Sequence, residues 1–339
     1  MGSFIDGKKK IEPLSYYTPI LIQCTLPHSD PKTNYWAKTN GDFSLVVASG
    51  ASQTGEPYGV PYGSFPRLVL SHIITQVIKT KERRIELGAD LSGFLREIGY
   101  SSNHRGAGMK GRRIRDQLLR LIAANIKFQR QGGTEEAGRL AGINVNIASK
   151  YDLWWDFKKP EQESLWGSYI DISEEFREAI LSAPVPLKKE VLKALHKSPL
   201  ALDVYMWVSH RLFTMRQAGH ESVHISYGRL QDQFGTGIAE ENYRLFRQRF
   251  TLAMKKVANY WRDESGKSVL HYEPDTTGIT LFRSPFIVVK ARDIAHEDEA
   301  RRIMEHRSFD QETRRAARQV AGKWDLGWLE GQYFDWLER

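Results

Sequence analysis
The sequence predicts an α+β fold, mainly helical, in which two tandem domains repeat one order of elements and a helical C-terminal tail closes the chain. Three observations predict it. Two long stretches, around "GMKGRRIRDQLLRL" and "YRLFRQRFTLAMKKV", carry apolar residues at helical spacing opposite a cationic face. Each follows a helix, a strand and a short helix ending in glycine, and each precedes an alternating apolar and polar hairpin pattern. Setting Ile98 and Gly99 on Phe234 and Gly235, an offset of 136 (234 minus 98), also sets Ile114 on Phe250, Leu118 on Met254 and Leu121 on Val257, as an internal duplication would.

Residues 1–40 mix lysine, proline and polar residues without sustained periodicity and read as a loosely ordered N-terminal arm. The first domain, residues 41–172, opens with the strand candidate "FSLVVAS" and, after the Gly- and Pro-rich "GEPYGVPYGSFP", continues into the helical "RLVLSHIITQVIKT". "RIEL" leans to strand and "DLSGFLREI" to a short helix that stops at Gly99. A glycine-containing loop leads to a helix over about Met109–Asn125, in which Ile114, Leu118, Leu121 and Ile122 form one stripe. Arg112, Arg113, Asp116 and Arg120 point the other way, and "NIKFQRQGGTEEAGRLAGINVNIAS" follows as a hairpin.

The second domain, residues 173–290, repeats that order. "SPLALDVYMWVSHRLFTMR" is its long helix, "VHIS" a strand, "YGRLQDQF" a short helix closed by Gly235, and "AEENYRLFRQRFTLAMKKVANYW" a long basic helix. Phe246, Phe250, Ala253, Met254, Val257 and Trp261 form the inner stripe, with Arg244, Gln248, Thr251 and Lys255 opposite. "SVLHYEPDTTGITLFRS" supplies the hairpin, and residues 291–339 read as the helical tail. Helix, strand, short helix, turn, long basic helix and hairpin is the order of a winged helix, whose second helix of the helix-turn-helix enters the DNA major groove.

Charge agrees with such a partner. Lys and Arg number 49 against 41 Asp and Glu, a formal net charge of +8, which favours anionic partners. Cys24 is the only cysteine, excluding an internal disulfide framework or a zinc site built on several thiolates, and it suits a reducing cytoplasm. No apolar run approaches a membrane span, and the start "MGSFIDGKKK" lacks the hydrophobic stretch of a signal peptide.

Arginine's fork matches the two acceptors of guanine, and glutamine pairs similarly with adenine. Arg112, Arg113, Asp116, Arg244, Gln248 and Thr251, in the N-terminal halves of their helices, are the candidate base readers. Lys110, Arg115, Arg120, Arg247 and Lys255 flank them as candidate phosphate contacts, with Arg130 and Arg139 beside the first hairpin tip.

Competing motifs are weaker. "GAGMKG" matches the dinucleotide fingerprint but lacks the preceding buried strand, and "SGKS" at Ser265–Ser268 lacks the first glycine of a phosphate loop, Trp261 standing there. "HESVH" (His220, Glu221, His224) matches the zinc-protease pattern but continues as strand, where the two imidazoles would lie about 13 Å apart; a zinc metalloprotease is the remote alternative. No two histidines are separated by one residue, so the metal pair of a strand-nicking enzyme is missing; no catalytic centre and no cofactor are expected. The aromatics of "YDLWWDF" and Trp166 are expected to pack between domains rather than to stack on single strands. The acidic, aromatic "KWDLGWLEGQYFDWLER" is expected to fold back on a domain rather than dock a partner.

"EPYGVPYGSFPRLVL", "GFLREIGYSSNHRGAGMKGRRIRDQLLRL" and "SPLALDVYMWVSHRL" resemble the plasmid-encoded RepA family of replication initiation proteins, and "FDQETRRAARQVAGKWDLGWLE" is similar to that family's C-terminal region. The resemblance implies a cytoplasmic initiator that binds direct repeats in double-stranded origin DNA, helps open the adjacent duplex and recruits host replication proteins such as the host initiator and helicase. It also implies self-association as a dimer and repression of its own gene. The alternative from the elements alone is a winged-helix transcriptional regulator on one inverted operator.

Overall fold
A computed structural model describes residues 14–100, 107–132, 139–235, 242–263 and 265–288, with backbone alone at 107–111, 131–132 and 139–141. The expected helical tail and residues 1–13 lie outside the described residues. Within them the chain mixes helix and strand throughout, and the mainly helical expectation gives way to four small sheets threaded between helices.

The arm expected over residues 1–40 is, from Leu14 onward, part of the core. β1 (Leu14–Tyr17) and α1 (Pro19–Gln23) bury Tyr17, Leu21 and Ile22, and the segment leading from α1 to β2 (Tyr35–Asn40) buries Cys24 and Leu26. These elements are too short to register as periodicity, and the partner of β1, Val185–Lys188, lies far along the chain. β2 runs antiparallel to β3 (Phe43–Ala48), which opens the first repeat of elements.

α2 (Ser64–Thr80) is apolar on most sides and buried accordingly, from Phe65 through Val77. β4 (Arg84–Gly88) leads to α3 (Leu91–Glu97), whose N-cap Asp90 accepts from the Gly93 N–H. α4 (Ala107–Ile122) follows, then β5 (Asn125–Gly132) and β6 (Arg139–Asn146), an antiparallel hairpin in the register Gly132 to Arg139. β7 (Ala148–Asp152), β8 (Ser168–Ile172), α5 (Glu174–Ser182), β9 (Val185–Lys188) and α6 (Lys189–Leu195) connect to the second series. That series is α7 (Pro199–Gln217), β10 (Ser222–Ser226), α8 (Tyr227–Phe234), α9 (Tyr243–Tyr260), β11 (Tyr272–Pro274) and β12 (Gly278–Phe282).

The two series run in step. Shifted by 136 positions, the first residues of α3 and α4, Leu91 and Ala107, fall on the first residues of α8 and α9, Tyr227 and Tyr243, and Ser64 falls on Leu200, one residue into α7. The sheets, however, differ. β10 joins β12 and β11 in one sheet, so strand and hairpin of the second series pair with each other. In the first series the hairpin continues the β2–β3 sheet through β5, while β4 pairs with β8 in a sheet completed by β7.

The described residues between Leu14 and Val288 belong to one compact unit, and a buried ion pair joins its two series. Arg67 of α2 meets Asp203 of α7 through Nε to Oδ1 at 2.6 Å and Nη2 to Oδ2 at 2.7 Å. The guanidinium also donates to the carbonyls of Leu26, Pro27 and Gly63, and His28 Nε2 lies 2.8 Å from Asp203 Oδ2. Thr25 Oγ1 donating to the Gln233 carbonyl and Gln233 Nε2 donating to the Ile22 carbonyl stitch the N-terminal segment to α8.

Candidate nucleic-acid interface
α4 places Ile114, Leu118, Leu121 and Ile122 in the core, against α2, and leaves Arg112, Arg113, Arg115 and Asp116 exposed. Burial of the four aliphatic side chains, at about 1.5–3 kcal/mol each, fixes which way the cationic face looks. Gln117 Oε1 accepts from the Tyr62 N–H at 3.1 Å, and the Arg115 guanidinium lies 5.8 Å from the Phe157 ring centre. Lys110 lies in the first turn of α4, its side chain outside the described residues.

Arg120 differs from its neighbours. Expected on a phosphate, it is turned back onto the protein: Nη1 donates to the Val60 carbonyl at 3.3 Å and sits 3.6 Å from Asp30 Oδ1, with the Tyr62 ring 5.4 Å away. Gly59 permits this approach, because a Cβ there would lie 2.7 Å from Arg120 Nη1 and because its φ is +89°.

α9 repeats the arrangement. Its N-cap Asn242 accepts from the Leu245 N–H, while Phe246, Phe250, Ala253, Met254 and Val257 are buried. Phe250 packs on Phe234 at 5.4 Å and on Trp207 at 6.2 Å, locking α9 to α8 and α7. Arg244, Gln248 and Lys255 are exposed, Thr251 is half-buried, and Arg247 lies 5.3 Å from the centre of the Tyr227 ring. No ion pair joins Arg112, Arg113, Arg244 or Lys255 to any described residue. Each helix thus presents exposed cations that no described residue pairs with.

The hairpin cations are divided. Arg130 stacks on Phe43 at 4.7 Å, and its burial pushes the guanidinium pKa down, with Asp42 opposing. Arg139 stands opposite Gly132 at the start of β6, and the intervening tip, residues 133–138, lies outside the described residues.

Sequence reasoning missed two groups. Arg249, Leu252 and Lys256 are exposed on α9 beside the expected residues. Arg211 of α7 is mostly buried, its Nε without a hydrogen-bond partner, and burial followed by the nearby Arg229 of α8 pushes its pKa down. The mostly buried Arg211 beside the exposed Arg229 offers two cations to an anion, and the approach of α7 to α8 is invisible in linear spacing.

The competing motifs resolve locally. "HESVH" spans a turn and β10; Glu221 pairs with Arg283 at 2.7 Å, and His224 faces Asp275 at 3.5 Å and Thr277 at 3.2 Å. Among the described residues no group of three or more His, Cys, Asp or Glu gathers as metal ligands would, and no helix is long and apolar enough to cross a membrane. Of the central aromatics, Trp155 packs on Phe94 at 4.9 Å and donates to the Gly88 carbonyl, whereas Trp154 and Trp166 stay 49% and 64% exposed, 6.4 Å apart.

A family model described as plasmid encoded RepA protein matches residues 60–229, from the loop before α2 into α8 and across all of α4. The chain belongs to the plasmid-encoded RepA family of replication initiation proteins. No curated protein sequence matches this RepA-family chain. Solved structures similar to it include two of RctB. A selenomethionine crystal structure of domains 2 and 3 of RctB is 11% identical over 80% of this chain and 97% of that one, with a TM-score of 0.45. A second crystal structure of RctB domains 2–3 is 12% identical over 78% of this chain and 96% of that one, with a TM-score of 0.44.

Proposed function
We propose that this RepA-family initiator binds repeated double-stranded DNA at a plasmid origin by laying α4 and α9, as the recognition helices of two winged-helix units, into successive major grooves. The observation that carries the reading is the pair of helices whose apolar stripes are buried while Arg112, Arg113, Arg244 and Lys255 face solvent without an ion pair among the described residues. The matching starts of α3 with α8 and of α4 with α9, and of α2 with α7 to within one residue, support a duplicated unit, and the β10–β12–β11 sheet supports the winged form in the second.

In this reading Arg112, Arg113, Asp116, Arg244, Gln248 and Thr251 read base edges. Lys110, Arg115, Arg130, Arg139, Arg247 and Lys255 hold phosphates, and the Arg211–Arg229 pair adds a further phosphate contact from α8, the helix that crosses the backbone. Arg120 braces the segment before α2 instead. Two helices in successive grooves cover roughly 20 base pairs, and the work is binding rather than bond chemistry. Opening of the neighbouring duplex, self-association and recruitment of host replication proteins follow from family membership as further parts of the proposal.

Selection of duplexes from a random pool by the purified full chain tests the reading. The expected product is a directional site of about 20 base pairs with two informative blocks about one helical turn apart, present as direct repeats beside the gene. A palindromic site would favour the transcriptional regulator, and absence of any enriched sequence would overturn DNA reading altogether.

A further inference from the structure
Leu252 stands out on α9 because nothing among the described residues accounts for its exposure. It is 59% exposed, on the side of the helix opposite Phe246, Phe250 and Val257. At about 100° per residue it continues the ridge Arg244, Gln248, Leu252 in steps of four, the outermost line of the helix. Its neighbours at three and four positions, Gln248, Arg249, Lys255 and Lys256, are all polar and exposed. A single leucine ringed by cations makes no apolar patch on which a protein partner could build a desolvated interface.

The major groove offers it a different partner. Thymine carries a C5 methyl group there, the one apolar feature of the base edges, and side chains that lack hydrogen-bonding groups recognise it by contact. We propose that Leu252 is a specificity-determining residue that selects thymine through its methyl group, one helical turn beyond Gln248; this rests on α9 lying in the major groove. The position 136 residues earlier is Asp116, exposed on α4 and suited to accept from the cytosine amine, so the two helices select different bases at matching places.

The test uses a duplex selected by the full chain, in which each thymine in turn is replaced by deoxyuridine. That removes the methyl and leaves every hydrogen-bonding edge unchanged. The wild-type chain is expected to lose about 4-fold in affinity at one thymine, the worth of one buried methyl, while Leu252→Ala binds the thymine and uracil duplexes equally. The salt dependence of binding stays as it was in Leu252→Ala. Equal losses in wild type and variant, or no thymine whose methyl matters, overturn the proposal while leaving DNA binding intact. Dissociation of a dimer by Leu252→Ala with unchanged thymine dependence would assign the residue to a second copy and also overturn it. Failure to select any duplex strikes the underlying reading instead.

Discussion

Removing the Asp203 carboxylate tests how the two series of elements are held together. Arg67 is 2% exposed and Asp203 3%, and the two side chains share two charge-assisted bonds of 2.6 and 2.7 Å. In Asp203→Ala the guanidinium keeps its bonds to the Leu26, Pro27 and Gly63 carbonyls but loses its counter-charge where water does not reach. Breaking one side of such a pair costs about 3–5 kcal/mol, against a total stability of about 5–15 kcal/mol for a typical domain. Arg67→Met combined with Asp203→Leu removes both charges and is expected to cost less than Asp203→Ala alone, since no buried ion is left uncompensated. Urea unfolding of the full chain at pH 7, followed by tryptophan fluorescence, reads both. A loss under about 1 kcal/mol in Asp203→Ala, or a double variant as weak as the single one, would refute the reasoning. Burial raises the Asp203 carboxyl, and Arg67 and His28 outweigh it, holding the pKa below the ordinary 3.8. Its contribution is therefore present above that value and is lost as pH falls through the folded-state pKa.

Burial holds His72 down from 6.5 to about 4, with Glu97 opposing and Lys189 and Lys79 adding to the shift. The unfolded chain takes up this proton first, so about 3 kcal/mol of stability present above pH 6.5 is lost between there and pH 4. His72→Phe, which keeps an aromatic edge on Phe94, should flatten the melting temperature across that window, and an unchanged slope would contradict the assignment. Gly59→Ala should destabilise by about 1–2 kcal/mol, because its φ of +89° is strained for alanine and its Cβ would displace Arg120; thermal unfolding that matched wild type would remove Arg120 from its bracing role. Trp155→Ala should cost about 3–5 kcal/mol through loss of the Phe94 contact, while the exposed Trp154→Ala stays within about 1 kcal/mol in the same unfolding assay.

The stripes of α4 and α9 were legible because burial of Ile114, Leu118, Phe250 and Val257 is a local, 3.6-residue pattern, and the 136-residue offset was legible because the helix starts kept their spacing. What escaped depends on distant partners. Leu14–Tyr17 pairs with Val185–Lys188, and β5 chooses β3 over β4, relations that alternation within one strand does not encode. Arg67 drew no reading because its partner Asp203 arrives from the distant α7, and Arg120 looked like its neighbours until Gly59 and Tyr62 closed on it. Leu252 carries no signal in the sequence, because a lone apolar residue on the outer face of an amphipathic helix breaks the polar pattern without announcing a partner.

The salt dependence of duplex binding tests the central claim most directly. With about six phosphates neutralised, the log of the association constant of the full chain on its selected duplex should fall against the log of salt concentration with a slope near −5. Arg115→Gln, Arg247→Gln and Lys255→Gln should each bring that slope about one unit nearer zero without changing the selected sequence. A slope near zero on the same duplex, unmoved by these variants, would contradict it.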